Sequence, residues 1–113
     1  MKLSEKKIKN LSIVFVEGEI DAATGPKLAL FFHDQLSKSK NLIADFSKVE
    51  FISSAGLRVL LGTVKEARSI GGDLRLSEVQ EKPYRVLKMS GFNRILKIYP
   101  ELETAVKSYS DWA

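Results

Sequence analysis

The sequence predicts an α/β fold: a central, mostly parallel or mixed sheet of four to five strands with about four helices on it. Three observations carry this. Leu11–Val16 and Leu42–Phe46 are short apolar runs of strand composition, and the second reads as a strand covered on both faces. Other stretches repeat their apolar residues at helical spacing, as in Leu57, Leu60, Leu61, Val64 and Ala67. The two kinds of segment alternate along the chain, as they do where right-handed crossovers join parallel strands.

Taken in order, Lys2–Ile8 is expected as an edge strand pairing with Leu11–Val16, which ends at the turn Glu17-Gly18-Glu19. Asp21–Gly25 is turn-like. Pro26 suits the first turn of a helix, where a missing N–H does no harm. That helix is expected to run to about Ser37, with Leu28, Phe31, Phe32 and Leu36 facing inward. After the strand Leu42–Phe46, a helix is expected over Ala55–Ile70, its charged residues Arg58, Lys65, Glu66 and Arg68 lying off the apolar stripe. Gly71-Gly72 stops it, because glycine readily takes the left-handed conformation of a C-terminal cap. Asp73–Val79 alternates like a strand. Pro83 starts a short helix through Val86, Leu87 and Met89, stopped by Gly91. Ile95–Tyr99 is the last strand, and Pro100 begins a closing helix with Leu102, Ala105 and Val106 inward. Tyr109 and Trp112 either dock the C-terminus or are exposed.

At 113 residues the chain has the length of one domain with one core. It is 44% hydrophobic and 28% charged, a balance typical of globular proteins. No apolar run reaches membrane-spanning length, and the N-terminal MKLSEKKIKN has no apolar signal core. A cytoplasmic location is expected. Net charge is +4, with Lys and Arg spread throughout and one local cluster at Lys6, Lys7 and Lys9. A nucleic-acid binder concentrates its charge and interleaves aromatics with it, so direct nucleic-acid binding ranks low.

Enzyme chemistry finds little purchase. Cysteine is absent and His33 is the sole histidine, which disfavours a zinc site or a thiol nucleophile. His33 lies on a helix with no serine or carboxylate at a useful spacing. Neither a G-x-x-x-x-G-K-[ST] loop nor a G-x-G-x-x-G fingerprint is present. Asp21, Asp45 and Glu50 are dispersed, and nothing pairs them as acid and base. No cofactor or metal is expected.

The adjacent serines Ser53 and Ser54 stand where a helix begins, beside its unpaired N–H groups and the positive end of its dipole. Serine is a favoured N-cap, contributing about 0.5–2 kcal/mol over alanine. Phe51 and Ile52 before the serines and Leu57 after them have the spacing of a hydrophobic staple. Capping needs one serine, not two. A phosphate on the other would be tolerated by the helix, yet would add nearly two negative charges to an uncharged patch.

The stretch DFSKVEFISSAGLRVLL resembles the signature of anti-sigma-factor antagonists, bacterial members of the STAS domain family. Gly18-Glu19-Ile20-Asp21 leading into Ala22-Ala23-Thr24 is similar to that family's G-E-[LI]-D segment. Gly71-Gly72 before Asp73-Leu74-Arg75-Leu76 resembles its G-G turn and strand. Met89-Ser90-Gly91-Phe92 resembles its late [MT]-[ST]-G-[LF] element. The likeness spans about Leu11 to Ala105.

The resemblance implies a STAS-type fold and a binding protein rather than an enzyme. Family members bind, when unphosphorylated, an anti-sigma factor that is also a serine kinase, and so free the sigma factor. The kinase phosphorylates one serine at the start of the second helix and binding is lost; a PP2C-type phosphatase reverses the change. Aligned on Gly56-Leu57, the family's D-S-[ST]-G-L pattern makes Ser54 the acceptor. Ser53 stands where aspartate is common and Ala55 where Ser or Thr is common, so Ser53 is the second choice. The implied partner surface comprises Asp21, Thr24, Ser53, Ser54, Ala55, Gly56 and Arg58. The alternative is an unphosphorylated STAS scaffold in a larger signalling or transport assembly.

Overall fold

The computed structural model describes residues 1–109. Five strands form one sheet in the order β1-β2-β3-β4-β5: Lys2–Ile8, Leu11–Glu17, Asn41–Lys48, Asp73–Ser77 and Lys97–Tyr99. β1 runs antiparallel to β2, with Lys2 opposite Glu17 and Ile8 opposite Leu11. The remaining neighbours are all parallel. Four helices connect or close them: α1 Gly25–Leu36, α2 Ser54–Ser69, α3 Glu81–Met89 and α4 Leu102–Lys107.

Side-chain alternation along the strands divides the core in two. Val14, Val16, Leu42, Ala44, Phe46, Leu74 and Leu76 meet Leu28, Phe32 and Leu36 of α1, Leu57, Leu60, Val64 and Ala67 of α2, and Leu87 of α3. Leu11, Ile13 and Ile43 meet Ala105 of α4 and Tyr109 on the opposite face. Within the first layer a buried polar pair ties α1 to the sheet: the Ser12 hydroxyl donates to Gln35 Oε1 at 2.6 Å. On the second face Asp73 accepts from Arg68 Nε at 3.0 Å and Arg75 Nε at 3.1 Å. The Arg75 guanidinium stacks 3.9 Å from the centre of the Tyr109 ring. The Tyr109 hydroxyl lies 2.9 Å from the Leu42 carbonyl and 3.0 Å from that of Asp73. Burial, with the Asp73 carboxylate nearby, pushes this phenol's pKa well above its ordinary value. Tyr109 thus docks; Trp112 lies outside the described residues.

α2 ends as the glycine pair predicts. Gly71 takes a left-handed φ of 85°, and a side chain on Gly72 would collide with the Lys40 carbonyl. Several expected boundaries shift. β4 stops at Ser77 because Glu78 turns left-handed, with φ 57°. α3 starts at Glu81, two residues before Pro83, since the first-turn N–H groups need no intrahelical partner. Ile95 belongs to a turn that closes the short 3₁₀ segment Phe92–Arg94, so β5 begins only at Lys97. Phe31 is half-buried rather than fully inside.

Candidate functional site

Two loops at the C-terminal ends of β2 and β3 are stitched together before the helices they feed. Ile20 and Ile52 form an isolated parallel bridge. The Ile20 N–H donates to the Phe51 carbonyl at 2.9 Å, and the Ser53 N–H donates to the Ile20 carbonyl at 2.9 Å. Both isoleucine side chains are buried. The bridge therefore sets Asp21, at the entrance to α1, beside Ser53 and Ser54, at the entrance to α2.

On the α1 side Asp21 organises the turn. Its Oδ1 accepts from the N–H groups of Ala23 and Thr24, each at 3.0 Å, and lies 3.2 Å from the Thr24 hydroxyl. The Thr24 hydroxyl also reaches the Glu19 carbonyl at 2.7 Å, and its oxygen accepts from the Asp21 N–H at 3.0 Å. The Thr24 N–H above all, against a smaller desolvation effect, holds the Asp21 carboxyl below the usual carboxylate range. Thr24 is the residue before α1 but caps nothing with its own side chain; the Asp21 carboxylate accepts from the N–H groups of the turn that precedes the helix.

On the α2 side the two serines separate cleanly. Ser53 has extended backbone, φ −96° and ψ 177°, and its Oγ accepts from the Gly56 N–H at 3.4 Å. It is the cap. Ser54 is the first helical residue, is exposed, and its hydroxyl makes no hydrogen bond among the described residues. The staple is narrower than the sequence proposed. Ile52 and Leu57 enter the core, whereas Phe51 points outward and is 46% exposed.

Of the seven expected surface residues, Gly56 is a correction. It is buried, and a methyl group placed there would approach Ile52 Cγ1 to 2.6 Å, Ile20 Cγ2 to 2.8 Å and the Ile20 carbonyl to 3.0 Å. Glycine stands there because the first turn of α2 presses against the Ile20–Ile52 bridge. It presents little surface of its own. Ala55 is half-buried and Arg58 is exposed, with no ion pair among the described residues.

The groove between α1 and α2 was not foreseen. One depression of about 310 Å³ is lined by Asp21, Ala22, Pro26, Ala55, Arg58 and Val59. A second, of about 500 Å³, continues past Leu30 and Gly62 to His33 and Glu66 and shares Ala29, Arg58 and Val59 with the first. Leu30 is 71% exposed on its wall. At the far end His33 Nδ1 and Glu66 Oε2 meet at 2.7 Å across the two helices, which gives His33 a structural partner. The exposure of Phe51 had a signal in the sequence: Phe51 and Ile52 are neighbours in an extended segment, so only one can point inward.

Elsewhere the carboxylate of Asp45 is buried and satisfied. It accepts from the Ser47 N–H at 3.1 Å and hydroxyl at 2.6 Å, and from the Ser77 hydroxyl at 3.1 Å. Among the described residues no group of three or more His, Asp or Glu side chains is placed to hold a metal ion, and no helix is long and apolar enough to cross a membrane.

The chain is 31% identical over 110 residues to BtrV of Bordetella bronchiseptica, covering 96% of this chain and 95% of that one. It is 33% identical over 87 residues to the anti-sigma-B factor antagonist of Listeria monocytogenes, 75% of each chain. The crystal structure of an anti-sigma factor antagonist from Mycobacterium paratuberculosis superposes with a TM-score of 0.85 at 26% identity, covering 95% and 92% of the two chains. The model of the STAS domain matches residues 2–105, which takes in every strand and the paired helix entrances, so the chain belongs to the STAS domain family.

Proposed function

We propose that this chain is an anti-sigma-factor antagonist whose binding is switched by phosphorylation of Ser54. The observation that carries the reading is the division of labour at α2: Ser53 caps the helix and leaves Ser54 exposed and uncommitted. Relatives carrying the anti-sigma factor antagonist name over most of the chain's length support the class of function.

In the unmodified protein Asp21, Thr24, Ser53, Ser54, Ala55 and Arg58 make a docking face for an anti-sigma factor with serine kinase activity. Docking frees the sigma factor. The kinase then transfers the γ-phosphoryl group of ATP to Ser54 Oγ, releasing ADP and the hydroxyl proton. The helix tolerates the product, because the free N–H groups and dipole of α2 favour an anion. The partner does not. A charge of roughly −1.5 to −2 is set in a surface that must be desolvated on binding. A PP2C-type phosphatase resets the protein. The chain itself works as a switched ligand in the cytoplasm, and the catalytic groups belong to its partners.

The test is a mass-mapped phosphorylation reaction with a candidate anti-sigma kinase and ATP, using wild type, Ser54→Ala and Ser53→Ala. A single phosphate on wild type and Ser53→Ala, absent from Ser54→Ala, is expected. Tight kinase binding with no phosphate on any variant would favour the unphosphorylated scaffold. Modification at Ser53 would move the switch by one residue.

A further inference from the structure

Ser54 and Arg58 stand four residues apart in α2, a separation that brings two side chains together on one helix face. Both are exposed, and neither has a hydrogen-bond or ion-pair partner among the described residues. Arg58 is also the only Lys or Arg among the residues lining either depression of the α1/α2 groove. Other charged groups facing the groove are Asp21, from the turn before α1, and the His33–Glu66 pair at its far end. Glu66 is occupied by His33, and the three hydrogen bonds to the Asp21 carboxylate all fall on Oδ1 within its own turn.

We infer that Arg58 is the intramolecular counterion of a phosphate on Ser54, so that modification both adds an anion to the docking face and withdraws that face's guanidinium. The inference rests on the reading of Ser54 as the modified residue. A guanidinium reaches a phosphate as a planar fork with paired N–H groups and holds it more strongly than a neutral donor does. The order is also the favourable one, with the anion N-terminal and the cation one turn later. The switch then works in two ways from one event. A partner carboxylate that meets Arg58 in the unmodified protein loses its cation at the moment it meets a new negative charge. Arg58 acts here as a positioning residue and takes no part in phosphoryl transfer.

The test needs no kinase. Phosphoserine is installed at position 54 by genetic encoding, and the second ionisation of the phosphate is followed by phosphorus NMR in wild type, Arg58→Gln and Arg58→Lys. A nearby cation favours the dianion, so the wild-type phosphate should ionise at lower pH than that of Arg58→Gln, by about 0.2–0.4 unit at low ionic strength. The difference should shrink in 1 M salt. Arg58→Lys, which keeps the charge, should retain most of the shift. Equal ionisation in wild type and Arg58→Gln would overturn the inference, and would do so whether or not an anti-sigma kinase modifies Ser54.

Discussion

At the start of α2 the backbone gives two adjacent serines different work. Ser53 closes the helix by accepting from the Gly56 N–H, while Ser54 points to solvent one position later. Ser53→Ala should therefore cost about 1 kcal/mol in urea unfolding, and Ser54→Ala should stay within about 0.5 kcal/mol of wild type. The reverse ranking would mean that the cap is misassigned. Gly56→Ala should cost about 2 kcal/mol or more, because the added methyl overpacks the contact with Ile20 and Ile52. Asp21 carries a pH signature. Its carboxyl titrates below the usual range, so the stability it adds is present above the unfolded-state pKa and is lost as pH falls through the folded value. Asp21→Asn should flatten the acid limb of a stability–pH profile measured between pH 5 and pH 2. An unchanged slope would show that the turn does not depend on the charged form.

Among the elements, the second face of the sheet hangs on one carboxylate. Asp73 joins Arg68 to Arg75, and Arg75 in turn stacks on Tyr109 and donates to the Ser108 carbonyl at 2.7 Å. Asp73→Asn would leave the largely buried Arg75 without its anion and should destabilise the fold by about 3 kcal/mol. A loss under 0.5 kcal/mol, read from denaturant melts, would show that the cluster is replaceable. This cluster was not legible in the sequence, because it joins α2, β4 and the segment after α4, and periodicity reports only one element at a time. The elements themselves were legible. Strong apolar periods placed α1, α2, β2 and β3 within a residue or two. The misjudged ends at Glu81, Lys97 and Ser77 lie where local turns compete with weak helix or strand signals. Phe51 falls outside the expected staple for a related reason: it and Ile52 are adjacent apolar residues, and the Ile20–Ile52 bridge fixes which of them turns inward.

For the whole molecule, the sheet order turns distant sequence into neighbouring surface. Adjacent parallel strands β2 and β3 deliver Ile20-Asp21 and Ile52-Ser53-Ser54 to the same edge, and the two backbone hydrogen bonds of the Ile20–Ile52 bridge lock them there. Sequence motifs named both segments, yet the groove that runs from them between α1 and α2 emerges only from packing. Because Ser54 stands outside the core, modifying it should leave the scaffold intact. Amide chemical-shift changes on phosphorylation should centre on Asp21–Thr24 and the first turns of α2, and spare β1, β5 and α4. The central claim is best tested by titrating an anti-sigma kinase, by calorimetry, with unmodified protein and with protein homogeneously phosphorylated at Ser54. A loss of at least about a hundredfold in affinity, or roughly 3 kcal/mol, with both forms equally folded, is the predicted result. Equal affinity of the two forms would contradict it.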